Sequence, residues 1–93
     1  MIHEEVKHYR LHVSGRVQGV GFRYSAHHQA SLLGIRGYVK NQYDGSVLLE
    51  IEGSEESTRR MIQWCKQGPS MSRVDDVEIA SGPLLGYTGF SIR

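Results

Sequence analysis

The hydrophobic period of this sequence changes from two to about 3.6 and back again, twice, along its 93 residues. Apolar side chains at every second position predict a strand, and those three or four positions apart predict a helix with one buried stripe. The resulting order is β-α-β-β-α-β, followed by a short apolar stretch that predicts a fifth strand. The predicted elements are strand Tyr9–Val13, helix Phe22–Leu33, strands Ile35–Asn41 and Val47–Ile51, a helix between Ser54 and Gly68, strand Asp76–Ala80, and strand Phe90–Arg93.

This order predicts an α+β protein with the ferredoxin-like split β-α-β fold, a mostly antiparallel sheet packed on two helices. In that fold the first two strands run parallel, with the third strand antiparallel between them. Both parallel strands therefore end at the same edge of the sheet. We expect the Gly15–Gly21 loop and the Asn41–Asp44 turn to be neighbours there, although about twenty residues separate them in sequence.

The size and composition of the chain restrict the possible functions. The length predicts a single domain, 1–93, with residues 1–6 as a frayed N-terminus. Its formal net charge of +1 argues against a polybasic nucleic-acid binder. The single cysteine, Cys65, allows no internal disulfide, and the N-terminus has no apolar signal region. We therefore expect a cytoplasmic monomer without a membrane segment.

The connection from the first strand to the first helix is the most informative segment of the sequence. Glycines let a backbone adopt positive φ and turn successive amides toward one anion, and a helix N-terminus adds unpaired N–H groups. Arg23 lies in the first helical turn, where a cation opposes the helix dipole, so a structural role alone does not explain it. We therefore predict an anion site formed by Arg23 and by the loop amides of Gln18, Gly19, Val20, Gly21 and Phe22.

Other functional interpretations are weaker. Asn41 could be an ordinary turn residue, since asparagine is common before hairpins. The element order also fits RNA-recognition domains, but the third strand has no aromatic side chain for base stacking and is acidic. The histidines lack the spacing of a metal site, so we expect no metal ligands. Glu50 and Glu52 are expected on a solvated strand face, and residues 82–89 are expected to form a mobile surface loop.

Two motifs together give the sequence a specific resemblance to the acylphosphatase family. The first is Gly15-Arg16-Val17-Gln18-Gly19-Val20-Gly21-Phe22-Arg23, and the second is Gly37-Tyr38-Val39-Lys40-Asn41 with Asp44-Gly45-Ser46-Val47. The resemblance covers about residues 9–93. It implies a hydrolase for small acyl phosphates that requires no metal or other cofactor. It also implies that Arg23 binds the phosphate and that Asn41 orients the attacking water.

The chemistry of an acyl phosphate is consistent with so few functional residues. Its leaving group is a carboxylate, whose conjugate acid has a pKa of roughly 4, so no general acid is needed at neutral pH. Phosphoryl transfer then requires mainly positioning and charge stabilisation. The alternative hypothesis is a non-catalytic phosphate-sensing module on the same scaffold, because a fold does not fix a function.

Overall fold

The computed structural model describes residues 5–93 and confirms the predicted order of helices and strands. Tyr9–Val13 and Asp76–Ala80 are the central parts of longer strands. The elements are β1 (Val6–Arg16), α1 (Phe22–Leu33), β2 (Arg36–Asn41), β3 (Val47–Ser54), α2 (Glu55–Gln67), β4 (Arg73–Ser81) and β5 (Phe90–Ile92).

The five strands form one sheet in the order β4-β1-β3-β2-β5. β3 pairs antiparallel with both β1 and β2, and β1 also pairs antiparallel with β4. Within residues 5–93, the one parallel pairing joins β5 to β2. β1 and β2 therefore run in the same direction on either side of β3, and the predicted ferredoxin-like fold is confirmed.

Both helices contact the sheet and each other, and the core lies between these two layers. Alternate residues of β1 enter this core, which explains the period of two in its sequence. The fully buried Cys65 lies on the inner stripe of α2 together with Thr58 and Met61. The main core residues are Leu11, Val13, Phe22, Ala26, Ala30, Val39, Val47, Leu49, Ile51, Met61 and Cys65.

The N-terminal prediction needs one correction. Val6, placed by the sequence in a frayed terminus, is the first residue of β1 and pairs with Ser54. β3 extends far enough to offer Val6 a backbone partner, and an unpaired strand edge would leave those groups to water. Of the rest of the predicted frayed segment, Glu5 is exposed and precedes β1, and residues 1–4 lie outside the described residues. No helix within residues 5–93 is long and apolar enough to cross a bilayer.

The sheet face opposite the helices is not the solvated surface that the sequence predicts at Glu50 and Glu52. Glu52 is only 1% exposed and Glu50 only 8% exposed. His8 lies between them, with Nδ1 2.9 Å from a Glu52 oxygen and Nε2 2.6 Å from a Glu50 oxygen. The carboxylate of Glu52 also accepts backbone N–H groups from the segment between β4 and β5, which covers this face.

That segment is attached to the sheet, contrary to the expected mobile loop. The N–H groups of Leu85, Gly86 and Tyr87 all donate to Glu52. The Tyr87 ring also stacks on His8, with ring centroids 6.2 Å apart. A buried carboxylate needs several donors to offset the loss of water, and this segment supplies three of them.

Candidate functional site

The connection between β1 and α1 has the backbone conformation that its glycines predict. Gly19 and Gly21 have φ angles of 73° and 79°, in the left-handed region that side chains other than glycine rarely adopt. Open space surrounds both positions, so the requirement for glycine is conformational and not steric. The two positive φ values fold the loop back over the start of α1.

Helix α1 begins without a cap. Its N-cap residue is Gly21, which provides no side-chain acceptor, and its first turn has no acidic residue. Ser25 N–H donates to the carbonyl of Gly21 over 3.0 Å and makes the first hydrogen bond of the helix. The N–H groups of Phe22, Arg23 and Tyr24 therefore have no partner inside the helix and carry the positive end of its dipole.

Helix α2 shows what the same junction looks like when it is capped. The hydroxyl of Ser54 accepts the Ser57 N–H over 3.1 Å, and Glu55 and Glu56 occupy the first turn. α2 thus satisfies its N-terminus with its own side chains. α1 leaves the equivalent donors open to an external anion.

The side chain of Arg23 is held by a hydrogen bond to a residue that is distant in sequence. Its Nη1 donates to the backbone carbonyl of Arg93 over 3.0 Å. Arg93 follows β5, and its N–H donates to the carbonyl of Val39 in β2 over 2.8 Å. No local sequence signal indicates this contact, because seventy residues separate the two arginines. The remaining guanidinium donors of Arg23 are left for a ligand.

Asn41 is the exposed last residue of β2, where it pairs with Val47 of β3. The hairpin turn after it is closed by the Gln42 N–H, which donates to the carbonyl of Ser46 over 2.9 Å. Asp44 accepts both the hydroxyl and the N–H of Ser46, and these hydrogen bonds lower the pKa of its carboxyl below the ordinary 3.8. The turn that carries Asn41 is therefore ordered by its own side chains.

Arg23, Asn41 and the glycine loop meet at one cavity of about 210 Å³. Its volume is about seven times the share of one water molecule in the liquid, enough for a phosphoryl group and a water. The predicted neighbourhood of the loop and the turn is confirmed. The lining residues are Val17, Gly19, Gly21, Phe22, Arg23, Tyr24 and Asn41.

Two of the predicted loop residues, Gln18 and Val20, have side chains that do not line this cavity, so the role predicted for them falls to their backbone amides. The side chain of Gln18 reaches the turn, where Nε2 donates to the carbonyls of Gln42 and Ser46 over 2.7 and 2.8 Å. The half-buried side chain of Val20 packs against the core. Val17 and Tyr24 were not named as site residues from the sequence, although Val17 lies within the Gly15–Gly21 loop and Tyr24 directly follows Arg23.

A second, more open depression of about 650 Å³ adjoins Asn41. It is lined by the end of β2 and by the turn, namely Lys40, Asn41, Gln42, Tyr43 and Asp44. Neither Arg23 nor the loop amides contribute to it. The smaller cavity therefore has the stronger features of an anion site, because it alone combines a guanidinium with a helix N-terminus.

Comparison with known proteins agrees with the geometry. The sequence model of the acylphosphatase family matches residues 9–92. The chain belongs to the acylphosphatase family. It is 45% identical over 82 residues to an acylphosphatase of Pseudomonas paraeruginosa, and the match covers 88% of this chain and 90% of that protein.

Solved acylphosphatase structures have the same fold. The crystal structure of acylphosphatase from Bacillus subtilis matches with a TM-score of 0.91 at 38% identity, over 96% of this chain and 99% of that one. An acylphosphatase from Coxiella burnetii matches with a TM-score of 0.93 at 32% identity, over the full length of both chains. The chain is thus an enzyme of the acylphosphatase class.

Proposed function

We propose that this acylphosphatase binds the phosphate of its substrate at the cavity between Arg23 and Asn41 and transfers the phosphoryl group directly to water. The observation that carries the proposal is the convergence of the uncapped N-terminus of α1, Arg23 and Asn41 on one cavity. In this proposal the backbone amides of Gln18, Gly19, Val20, Gly21 and Phe22 bind phosphate oxygens together with Arg23.

The positive charge at this cavity supports binding of a dianion. Arg23 contributes a planar guanidinium, which donates two parallel hydrogen bonds to a tetrahedral anion. The positive end of the α1 dipole adds to its charge. These donors are held in place before the substrate arrives, so little reorganisation accompanies the redistribution of charge in the transition state.

The reaction needs no further side chain for the leaving group. Water attacks phosphorus, the phosphorus–acyl oxygen bond breaks, and the bonding electrons remain on the carboxylate. In balanced form, RCO–OPO₃²⁻ and H₂O give RCOO⁻ and H₂PO₄⁻. The carboxylate is a stable anion at neutral pH and departs without a general acid.

Asn41 orients the attacking water in this proposal. A side-chain amide accepts one proton of a water molecule through its carbonyl and donates to the water oxygen through its NH₂ group. It cannot remove a proton at neutral pH, so its contribution is positioning. In-line displacement then places the leaving acyl group on the opposite side of phosphorus from Asn41.

The proposal also covers the oligomeric state, the location and the partners of the protein. We propose that residues 1–93 act as a single domain and as a monomer in the cytoplasm. The partners would be a small acyl phosphate, and inorganic phosphate as product or competitive ligand, with no nucleic acid involved. The near-neutral net charge of the chain supports a small substrate over a polyanion.

The test is hydrolysis of acetyl phosphate and benzoyl phosphate, with and without a chelator. Arg23→Ala and Asn41→Ala should each lower kcat/KM by about 10²–10³-fold, as expected for a lost oxyanion donor or a lost positioning group. Arg23→Lys should not restore activity, because an ammonium ion lacks the planar pair of donors. Arg60→Ala, on the exposed face of α2, provides the control for losing one arginine.

Phosphate binding separates the two proposed roles. Asn41→Ala should keep nearly the parent affinity for inorganic phosphate, whereas Arg23→Ala should lose it. Near-parent hydrolysis by Arg23→Lys or Asn41→Ala would refute the assigned roles, and sensitivity to chelator would refute the metal-free reaction. A folded parent chain that binds phosphate without turnover would instead support the phosphate-sensing alternative.

A further inference from the structure

Tyr24 is a large aromatic side chain left in water beside the proposed phosphate site. It is 74% exposed and lies in the first turn of α1, next to Arg23. It also lines the cavity that contains Arg23 and Asn41. The floor of the cavity is apolar as well, because Val17 and Phe22 line it and are almost fully buried. The cavity thus combines phosphate donors with apolar surface.

Helix geometry sets the direction of the Tyr24 side chain. Phe22, Ala26 and Ala30 form the buried stripe of α1. At about 100° per residue, Tyr24 lies roughly 200° from Phe22 and so points away from the core. Helical side chains also lean toward the N-terminus, over the preceding turn. Tyr24 therefore projects from the outer face of α1 at the edge of the cavity that it lines.

The proposed in-line reaction restricts where the acyl group can lie. If Asn41 holds the water on one side of phosphorus, the acyl oxygen leaves on the other side. We infer that Tyr24 forms the acyl subsite and makes the enzyme favour acyl phosphates with an aromatic acyl group. This inference rests on the proposed function, because it takes the positions of phosphate and water from it.

Tyr43 provides an internal comparison for this inference. Its side chain is fully exposed and also close to Asn41, but it lines the wider depression that lacks Arg23. That depression lies on the water side of the proposed reaction and is flanked by the charged groups of Lys40 and Asp44. An acyl group leaving away from Asn41 does not reach Tyr43. The two exposed tyrosines should therefore differ in their effect on substrate choice.

The experiment measures kcat/KM for benzoyl phosphate and acetyl phosphate in the parent chain, Tyr24→Ala, Tyr24→Phe and Tyr43→Ala. The two substrates differ in leaving group, but this difference is common to all four proteins and cancels in their comparison. An aromatic pair at the subsite predicts that the benzoyl-to-acetyl ratio falls about 5-fold in Tyr24→Ala. Tyr24→Phe should retain the parent ratio, because the ring and not the hydroxyl makes the contact.

The outcomes separate this inference from the function on which it rests. If Tyr24→Ala keeps the parent benzoyl-to-acetyl ratio, or if Tyr43→Ala lowers this ratio equally, the acyl subsite is overturned. The proposed hydrolase activity is not affected by either result. A ratio that falls as much in Tyr24→Phe as in Tyr24→Ala overturns the ring contact. Absence of turnover of either substrate by the parent chain overturns the proposed function, and the subsite with it.

Discussion

The side chain of Gln18 links the two segments that form the candidate site. Its Nε2 donates to the carbonyls of Gln42 and Ser46 over 2.7 and 2.8 Å, so the glycine loop is tied to the turn that follows Asn41. Gln18→Met removes both donated hydrogen bonds and retains a side chain of similar length. This substitution therefore tests the link with little change in packing.

The expected loss of stability depends on which hydrogen bonds the two carbonyl groups still accept in Gln18→Met. Ser46 still accepts the Gln42 N–H, and Gln42 still accepts the Gly45 N–H, so neither oxygen is left without a donor. The loss is therefore two ordinary hydrogen bonds at about 1 kcal/mol each, or about 2 kcal/mol of unfolding free energy. For a domain of this size that lowers Tm by about 8–16 °C.

Activity should fall along with stability, for a different reason. A displacement of about 1 Å between the phosphate donors and the water-holding side chain lowers kcat by up to ~10²-fold. Turnover of acetyl phosphate, measured well below both melting temperatures, separates this effect from unfolding. We expect kcat to fall more than the affinity for inorganic phosphate, because the amides and Arg23 remain on the loop and helix.

Gln63→Met is the matched control, since Gln63 is exposed on α2 and methionine is an equally good helix former. It should change Tm by no more than a few degrees and leave kcat unaltered. A Gln18→Met protein with the parent Tm would show that the two hydrogen bonds contribute no net stability. A parent kcat would show that the loop and the turn keep their relative positions without Gln18.

Two further predictions concern buried ionisable groups. Burial alone would raise the pKa of Glu52, but donors from Leu85, His8, Tyr87 and Gly86 outweigh it and hold the pKa below the ordinary 4.5. The carboxylate should therefore stabilise the fold above about pH 4.5 and lose this contribution as the pH falls. Urea unfolding of the parent and of Glu52→Gln should accordingly show a difference in stability that becomes smaller in acid. Burial raises the pKa of the Cys65 thiol, so thiol reagents should modify it only in denaturant; rapid labelling of the native protein would contradict its burial.

The fold was predictable because its main signals are local. The alternation in β1 and β3 and the spacing of Phe22, Ala26 and Ala30 each depend on a few consecutive residues. The caps and turns at Ser54 and Asp44-Gly45 are equally local. The parallel direction of β1 and β2 follows from the order of the elements, and this direction predicts that the glycine loop and the turn of Asn41 are neighbours.

Polar side chains whose partners lie far along the chain were not predictable. Glu50 and Glu52 alternate with apolar residues as a solvated strand face would, but both are buried and the prediction of exposure was wrong. They are buried because a segment more than thirty residues later lies over them and donates its N–H groups to Glu52. Nothing in β3 specifies that covering segment.

The sequence by itself therefore determined the elements, their order, the family and the meeting of Arg23, Asn41 and the glycine loop at one cavity. The tertiary structure alone decided that Gln18 bonds across to the turn, that Arg93 fixes Arg23, and that Glu52 holds the segment before β5. The physical reason is the distance along the chain over which each signal acts, since backbone propensity and hydrophobic period depend on only a few consecutive residues. The partner of a polar side chain depends on which distant segment arrives beside it.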